Sequence, residues 1–333
     1  MGTVCVVNLF EKGSARLYAE IFSRIREIDQ TMAAFPPALA GGLASDVVEI
    51  GRQAGIRPVR VGEDLLDVLE RALYFARLSD GAFDPTIGPL TALWGISTDS
   101  PRVPSGAEIA AALELVNWRD LSIDRGAGTA FLRRPGMSLD LGSIAKGYAG
   151  DEAARIAREA GARRAMIDLG GNIVAVGGRQ HRGNAAQRLF SRRVHANLPW
   201  RIGVQNPDGA RGAHIAILEV YDLSVVTSGV NERYFDAPGP GGATRRFHHL
   251  LCTRTGFPIS NGLLSVTVVA ESSTDADALS TTVFAMGYER GRAAIDAMPG
   301  VEAIFIFENR SVRVTEGLAG VFRMTVGDFV LAR

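Results

Sequence analysis

The chain has 333 residues, 47% hydrophobic and 22% charged, which is ample for a buried core arranged as one large domain or two small ones. Its formal net charge is zero, so there is no global basic field to draw nucleic acid or an anionic membrane. No apolar run reaches transmembrane length, and two cysteines, Cys5 and Cys252, do not make a disulfide framework, although a single bridge between them stays open. In chain order, Thr3 to Leu9 reads as a strand, and Ala15 to Met32 as an amphipathic helix with Leu17, Ile21, Ile25 and Ile28 on one face. Ala33 to Ala44 is too rich in Ala, Gly and Pro for regular helix throughout. Leu65 to Leu78 is a second helix. Gly81 to Leu90, with Gly and Pro at both ends, reads as an ordered loop. Ala107 to Val116 is a short helix ahead of a hairpin-like pair around Leu121 and Phe131. Ser143 to Glu159 is a helix, followed by a buried strand at Ala165 to Leu169.

The stretch 180–199 carries Arg182, Arg188, Arg192 and Arg193 with two histidines and no clear period, and reads as a mobile surface insertion. Strands follow near Arg201 to Val204, His214 to Glu219, Ser224 to Val226, His248 to Leu251 and Leu264 to Ala270. Helices at Ala276 to Met286 and Arg290 to Met298 come next, and Ala303 to Phe307 with Ser311 to Val314 close the chain as a hairpin. There is no internal repeat and no steady βαβ alternation. The expected fold is therefore α+β with a mixed, mostly antiparallel sheet and flanking helices. Gly170-Gly171 lacks the spacing of a dinucleotide or P-loop fingerprint.

The run Asp275 to Thr281 is the most informative for chemistry. It follows an apolar β-type stretch and opens a helix, and Asp277 and Thr281 are four apart, hence on one face. A carboxylate and a hydroxyl there are hard oxygen ligands for a divalent cation near a helix N-terminus, which also suits phosphate. Ordinary capping by Ser273 or Thr274, with Asp275 and Asp277 on the dipole, accounts for the same residues.

Five further segments accompany that run. They are Gly81-Ala82-Phe83-Asp84-Pro85-Thr86-Ile87-Gly88-Pro89-Leu90 with Leu93-Trp94-Gly95, Asp140-Leu141-Gly142-Ser143-Ile144-Ala145-Lys146-Gly147-Tyr148, and Asp168-Leu169-Gly170-Gly171-Asn172-Ile173. Thr227-Ser228-Gly229 with Glu232-Arg233-Tyr234-Phe235, and His248-His249 with Thr255-Gly256-Phe257-Pro258, complete the set. In order and spacing, from Met1 to about Phe322, the chain resembles the FAD:protein FMN transferases, the ApbE or thiamine-biosynthesis lipoprotein family. The resemblance implies one ApbE-like domain over 1–333. It implies Mg²⁺-dependent splitting of FAD at its pyrophosphate, with FMN passing to a threonine or serine hydroxyl of a target protein that carries a flavinylation motif, and AMP leaving. On the same resemblance Asp277 and Thr281 are metal ligands, Ser280 stands where some members place a second acidic ligand, and Ser143 supplies a further metal contact. Met1, Phe35, Ala82, Phe83, Asp84, Asp140, Lys146 and Leu251 match cofactor-contacting positions. His249 matches a histidine able to move a proton during hydroxyl attack, with a structural strand histidine as the competing reading. Glu232, Arg233 and Tyr234 also read as an ion pair beside a core aromatic.

The chain departs from the family pattern near this expected site. Cys252 and Thr253 replace the Asp-Pro that follows the histidines; the resemblance makes Cys252, with His249, a catalytic position, where a neutral thiol offers neither charge nor a hard ligand. Phe35 replaces a stacking tyrosine, Gly51 an asparagine, and Asn231 an aromatic. The departures leave two alternatives to transfer: an FAD pyrophosphatase giving FMN and AMP, or a flavin-binding member with weakened or lost catalysis. The family is usually exported and often lipid-anchored. This chain lacks a basic n-region, a long apolar segment and a lipobox cysteine at its start, and begins at the family's Met-Gly-Thr.

Overall fold

The computed structural model describes residues 2–34, 44–180, 197–210, 212–238 and 244–332. Its centre is an eight-stranded sheet whose strands lie side by side in chain order. They are Cys5–Leu9, Ala165–Leu169, Asn172–Val176, Ser224–Gly229, Leu263–Ala270, Glu302–Phe307, Ser311–Val314 and Val330–Leu331. Every neighbouring pair is antiparallel except the last, where Ser311–Val314 and Val330–Leu331 run parallel. The expected α+β class with mostly antiparallel pairing is what the chain adopts.

Both faces of this sheet are covered, which is why its strands read as nearly continuous apolar runs. The side-chain period of two divides them. Val174, Val176, Val226, Val268 and Phe305 join the core under the helices. Their neighbours Ala175, Val225, Val269, Ile304 and Ile306 pack instead against a three-stranded sheet formed by Trp200–Gln205, His214–Val220 and Phe322–Met324. A third, smaller cluster joins Leu90, Trp94, Ile109, Phe247 and Leu251.

On the helical face, Ala15–Met32 buries Leu17, Ile21, Ile25 and Ile28, as its periodicity predicts. Each such side chain contributes about 1.5–3 kcal/mol by leaving water. Two helices matter most for the site. Ala145–Glu159 carries Lys146, and Ser273–Met286 carries Asp277 and Thr281. They cross closely because Gly147 and Gly150 sit at the contact. A Cβ on Gly147 would press into the Ser273 carbonyl and stand 2.7 Å from Thr274 Cα, and one on Gly150 would stand 3.1 Å from Ser273 Oγ. Asp151 then ties the helices together. Its carboxylate accepts from the Ser273 and Thr274 backbone N–H groups at 2.8 and 2.9 Å and from the Ser272 and Thr274 hydroxyls at 3.1 and 2.7 Å. Arg71 adds a bidentate pair to Asp275 at 2.6 and 2.7 Å.

Several boundaries differ from the sequence expectation. The Asp277 helix starts at Ser273 and is capped by Ser272, whose hydroxyl accepts from Asp275 N–H, rather than by Ser273 or Thr274. Ser143 lies in the turn before the Lys146 helix, which begins at Ala145. Asp46–Arg52 is a helix, absent from the sequence expectation, capped by Ser45 and burying Val47 and Ile50. The Gly81 to Leu90 loop gives way to helix at Gly88, where Pro89 occupies the first turn that tolerates it. The strand expected at His248 to Leu251 ends at His248, having begun at Thr244. Its partner strand is Tyr234–Pro238. Of the expected insertion at 180–199, residues 181–196 lie outside the described residues; its stems Arg179–Gln180 and Asn197–Leu198 pair antiparallel. Cys5 and Cys252 are free thiols. Among the described residues, no helix is long and apolar enough to cross a membrane.

The helix crossing is open to a direct test. Gly147→Ala should lower stability by about 1–3 kcal/mol in urea denaturation, because overpacking outweighs alanine's helix preference of roughly 1 kcal/mol. A variant as stable as the parent would mean the two helices are not held at backbone contact.

Candidate active site

A cleft of about 650 Å³ opens at the end of the sheet where the Lys146 and Asp277 helices meet the loop 81–87 and the segment 249–251. That size suits a nucleotide-scale ligand. Ala82, Phe83, Asp84, Asp140, Ser143, Lys146, His249, Leu251, Asp277 and Thr281 all line it. Cys252 and Ser280 do not. Met1 and Phe35 lie outside the described residues.

Asp277 is 2% exposed, and its carboxylate is fully engaged. Lys146 Nζ donates to its two oxygens at 3.0 and 3.2 Å, and Gly147 N–H donates to Oδ2 at 2.9 Å. The Gly147 amide belongs to the first turn of a helix with no side-chain cap, so Asp277 supplies that helix with its anion from a different element. Lys146 Nζ also donates to the Gly142 carbonyl at 2.9 Å.

Beside Asp277 three hydroxyls form a chain whose direction follows from counting protons, one per hydroxyl. Ser280 Oγ donates to the Asp277 backbone carbonyl at 2.8 Å. The 2.8 Å contact between Ser228 and Ser280 therefore uses the Ser228 proton, and the 3.0 Å contact between Ser228 and Thr281 uses the Thr281 proton. Thr281 Oγ1 spends its proton on Ser228 and keeps its lone pairs for the cleft. Ser280, fully buried, thus orients its neighbours from behind the cleft. Ser228 was not singled out at the sequence level. Its signal was its place in Thr227-Ser228-Gly229 on a strand whose alternation turns it toward the Asp277 helix.

The loop 81–87 is built largely by Asp84. Its Oδ1 accepts from the Thr86 N–H and hydroxyl at 2.8 and 2.7 Å, and its Oδ2 from Trp118 N–H at 2.9 Å. Burial pushes its pKa up while these donors hold it down. Phe83 is 3% exposed and packs edge-on against Phe75, so its ring belongs to the core behind the cleft wall. Asp140 accepts from Gly142 N–H at 2.9 Å, and its own N–H donates to the Pro85 carbonyl, joining the two segments. Thr253 donates to the Gly81 carbonyl at 2.7 Å, so this departure from the family pattern braces the same loop.

His249 follows its strand rather than lying in it. Its backbone N–H and ring Nδ1 both reach the Arg233 carbonyl, at 3.0 and 3.2 Å. A carbonyl only accepts, so Nδ1 carries the proton and Nε2 is the nitrogen with the lone pair. Burial, then the neighbouring Arg233 guanidinium, push the imidazole pKa down to about 3, and His248 and Lys146 act in the same direction. His248 is the structural histidine of the pair, with Nε2–H donating to the Ile259 carbonyl at 3.0 Å and its pKa lowered by burial. Glu232 and Arg233 line the cleft, and Arg233 donates to Ser97 Oγ at 3.2 Å. The expected core aromatic beside them is not one: Tyr234 is 43% exposed, with the Arg246 guanidinium 3.7 Å from its ring centroid.

The donor set fits a hard divalent cation. Asp277 and Thr281 offer a carboxylate and a hydroxyl, and the cleft lining includes no thiol. Among the described residues no group of three or more His, Cys, Asp or Glu side chains is arranged to hold a metal, which leaves the remaining positions to backbone, water or a ligand's phosphates. That is the usual mode for Mg²⁺.

The profile of the ApbE family matches residues 1–305. A protein of Treponema pallidum named FAD:protein FMN transferase is 36% identical over all of this chain and 90% of its own length. The crystal structure of the ApbE protein of Thermotoga maritima superposes with a TM-score of 0.77 at 31% identity, covering 95% of this chain and 94% of that one. The flavin transferase ApbE of Vibrio cholerae gives 0.78 at 26% identity, covering 96% of each.

His249 makes a pH prediction. Its folded pKa lies below the unfolded value near 6.5, so between the two values only the unfolded chain binds the proton. Stability from this residue is complete above about pH 6.5 and falls as pH drops toward 3, by at most ~1.4 kcal/mol per unit. His249→Gln should flatten the dependence of unfolding free energy on pH between 6 and 4; an unchanged slope would mean the imidazole is not held neutral.

Proposed function

The chain belongs to the ApbE family, and on that premise we propose that it passes the FMN half of FAD to a threonine or serine hydroxyl of a target protein, with AMP leaving and Mg²⁺ bound in the cleft. One observation carries this reading. A single cleft gathers a hard-oxygen pair, two cationic side chains and an imidazole with an open lone pair.

The acceptor oxygen bonds to the FMN phosphorus while the bridging oxygen departs with AMP. Such a reaction needs positioning and charge neutralisation more than covalent help from the protein. Asp277 and Thr281 Oγ1 would hold Mg²⁺, with Ser143 contributing from the adjacent turn; when bound, the ion neutralises charge on the pyrophosphate oxygens. Lys146 and Arg233 face the same anion from two sides. His249 Nε2 is the acceptor for the proton of the attacking hydroxyl. Without a ligand it is a weak base, because it is half-buried and flanked by cations. A dianion beside Lys146 and Arg233 offsets their part of that depression. The backbone of the loop 82–84, Leu251 and Asp140 form the wall against which FAD packs, with Asp84 maintaining the loop.

The test is incubation with FAD and Mg²⁺, with and without a protein bearing a flavinylation motif, reading AMP release and partner mass. A partner heavier by one FMN with equimolar AMP supports transfer. AMP and free FMN without labelling indicate the pyrophosphatase, and intact bound FAD indicates a binding protein. Asp277→Ala should reduce turnover by at least ~100-fold; full activity would remove the metal assignment. Cys252→Asp should leave turnover close to the parent's, since Cys252 stands off the cleft. A large rise would mean the thiol is the limiting departure.

A further inference from the structure

Lys146 occupies an unusual position. It lies in the first turn of its helix, where the macrodipole disfavours a cation, and it is held there by Asp277 from another helix. Asp277 has no oxygen free of a donor: the ammonium reaches both, and Gly147 N–H takes one of them. Yet Lys146 is not enclosed. Its side chain is 23% exposed and lines the cleft, while that of Asp277 is 3% exposed. A long flexible stem allows the ammonium to leave.

A divalent cation binding Asp277 alone would stand beside this ammonium within a wall of low dielectric, an arrangement of like charges that is strongly disfavoured. A ligand with an internal pyrophosphate changes the sum. Its two negative charges, with that of Asp277, balance the metal and the lysine together. We propose that Lys146 is the resident counter-ion of the Asp277 site: it holds the carboxylate in the empty cleft and passes to the pyrophosphate when metal and dinucleotide enter together. Metal and dinucleotide then bind with positive coupling, and neither alone fills the site efficiently. This rests on the reading of Asp277 as a metal ligand.

Binding of Mn²⁺, counted by the electron paramagnetic resonance of the free ion, tests the idea without turnover, using ADP-ribose as a ligand with an internal pyrophosphate. In the parent, saturating ADP-ribose should tighten Mn²⁺ binding by about tenfold or more. Lys146→Met should bind Mn²⁺ alone about tenfold more tightly than the parent and gain little from ADP-ribose. Lys146→Arg, which keeps the charge, should stay weak without the ligand. Equal Mn²⁺ affinity in the parent with and without ADP-ribose, or a Lys146→Met protein no tighter than the parent, overturns the proposal. If Lys146→Met does not fold, the parent's coupling and Lys146→Gln decide in the same way. Adding Asp277→Asn to Lys146→Met separates the two layers. Lost Mn²⁺ binding leaves the metal reading standing whatever the coupling, whereas retained tight binding places the metal elsewhere and removes that reading.

Discussion

The geometry of the site depends on the Asp277 carboxylate, shared between Lys146 Nζ and the Gly147 amide where two helices cross. A buried carboxylate without partners carries a large desolvation cost, so it requires both donors. The donors reach it only because Gly147 lets the helices touch backbone to backbone. Asp151 holds the same crossing, and Arg71 ties the Asp277 helix to the helix Glu63–Leu78. Packing, helix capping and the placement of the candidate ligands are therefore one arrangement.

The strands of the sheet beneath this crossing lie in chain order, and burial on both faces gives the site its floor. Ser228 projects from that floor toward the Asp277 helix and closes the hydroxyl chain that aims Thr281 at the cleft. The opposite wall is held in a different way. Asp84 and Thr86 fold the loop 81–87 upon itself, and Asp140, Thr253 and the Pro85 carbonyl tie it to two other segments. Some residues expected to touch a ligand are thus supports. Asp84 and Ser280 have their polar atoms committed to the protein, and they act by fixing what does face the cleft.

Much of this was legible in the chain. Alternating and 3.6-residue periods located most strands and helices, because each period reflects which face must leave water. The spacing of Asp277 and Thr281 put them on one helix face, and that is where they stand. Less legible were the exact starts of the helices. The Asp277 helix begins earlier than its apolar pattern because Ser272 caps it and Asp151, distant in sequence, satisfies its first amides. Asp46–Arg52 was not legible because seven residues with two buried positions, Val47 and Ile50, are too short a run to show a period.

By itself, the sequence determined the class of fold, the family motifs and the residue types able to bind a hard cation and an anion, since these follow from local period, spacing and chemistry. Only the tertiary structure decided which of those residues share a cleft. It also decided that Lys146 pairs with Asp277 across 131 positions, that His249 presents Nε2, and that Cys252 stands off the cleft wall. These depend on long-range contacts, where a single backbone carbonyl or a missing Cβ sets the geometry, and no local pattern in the chain encodes which distant partner will supply it.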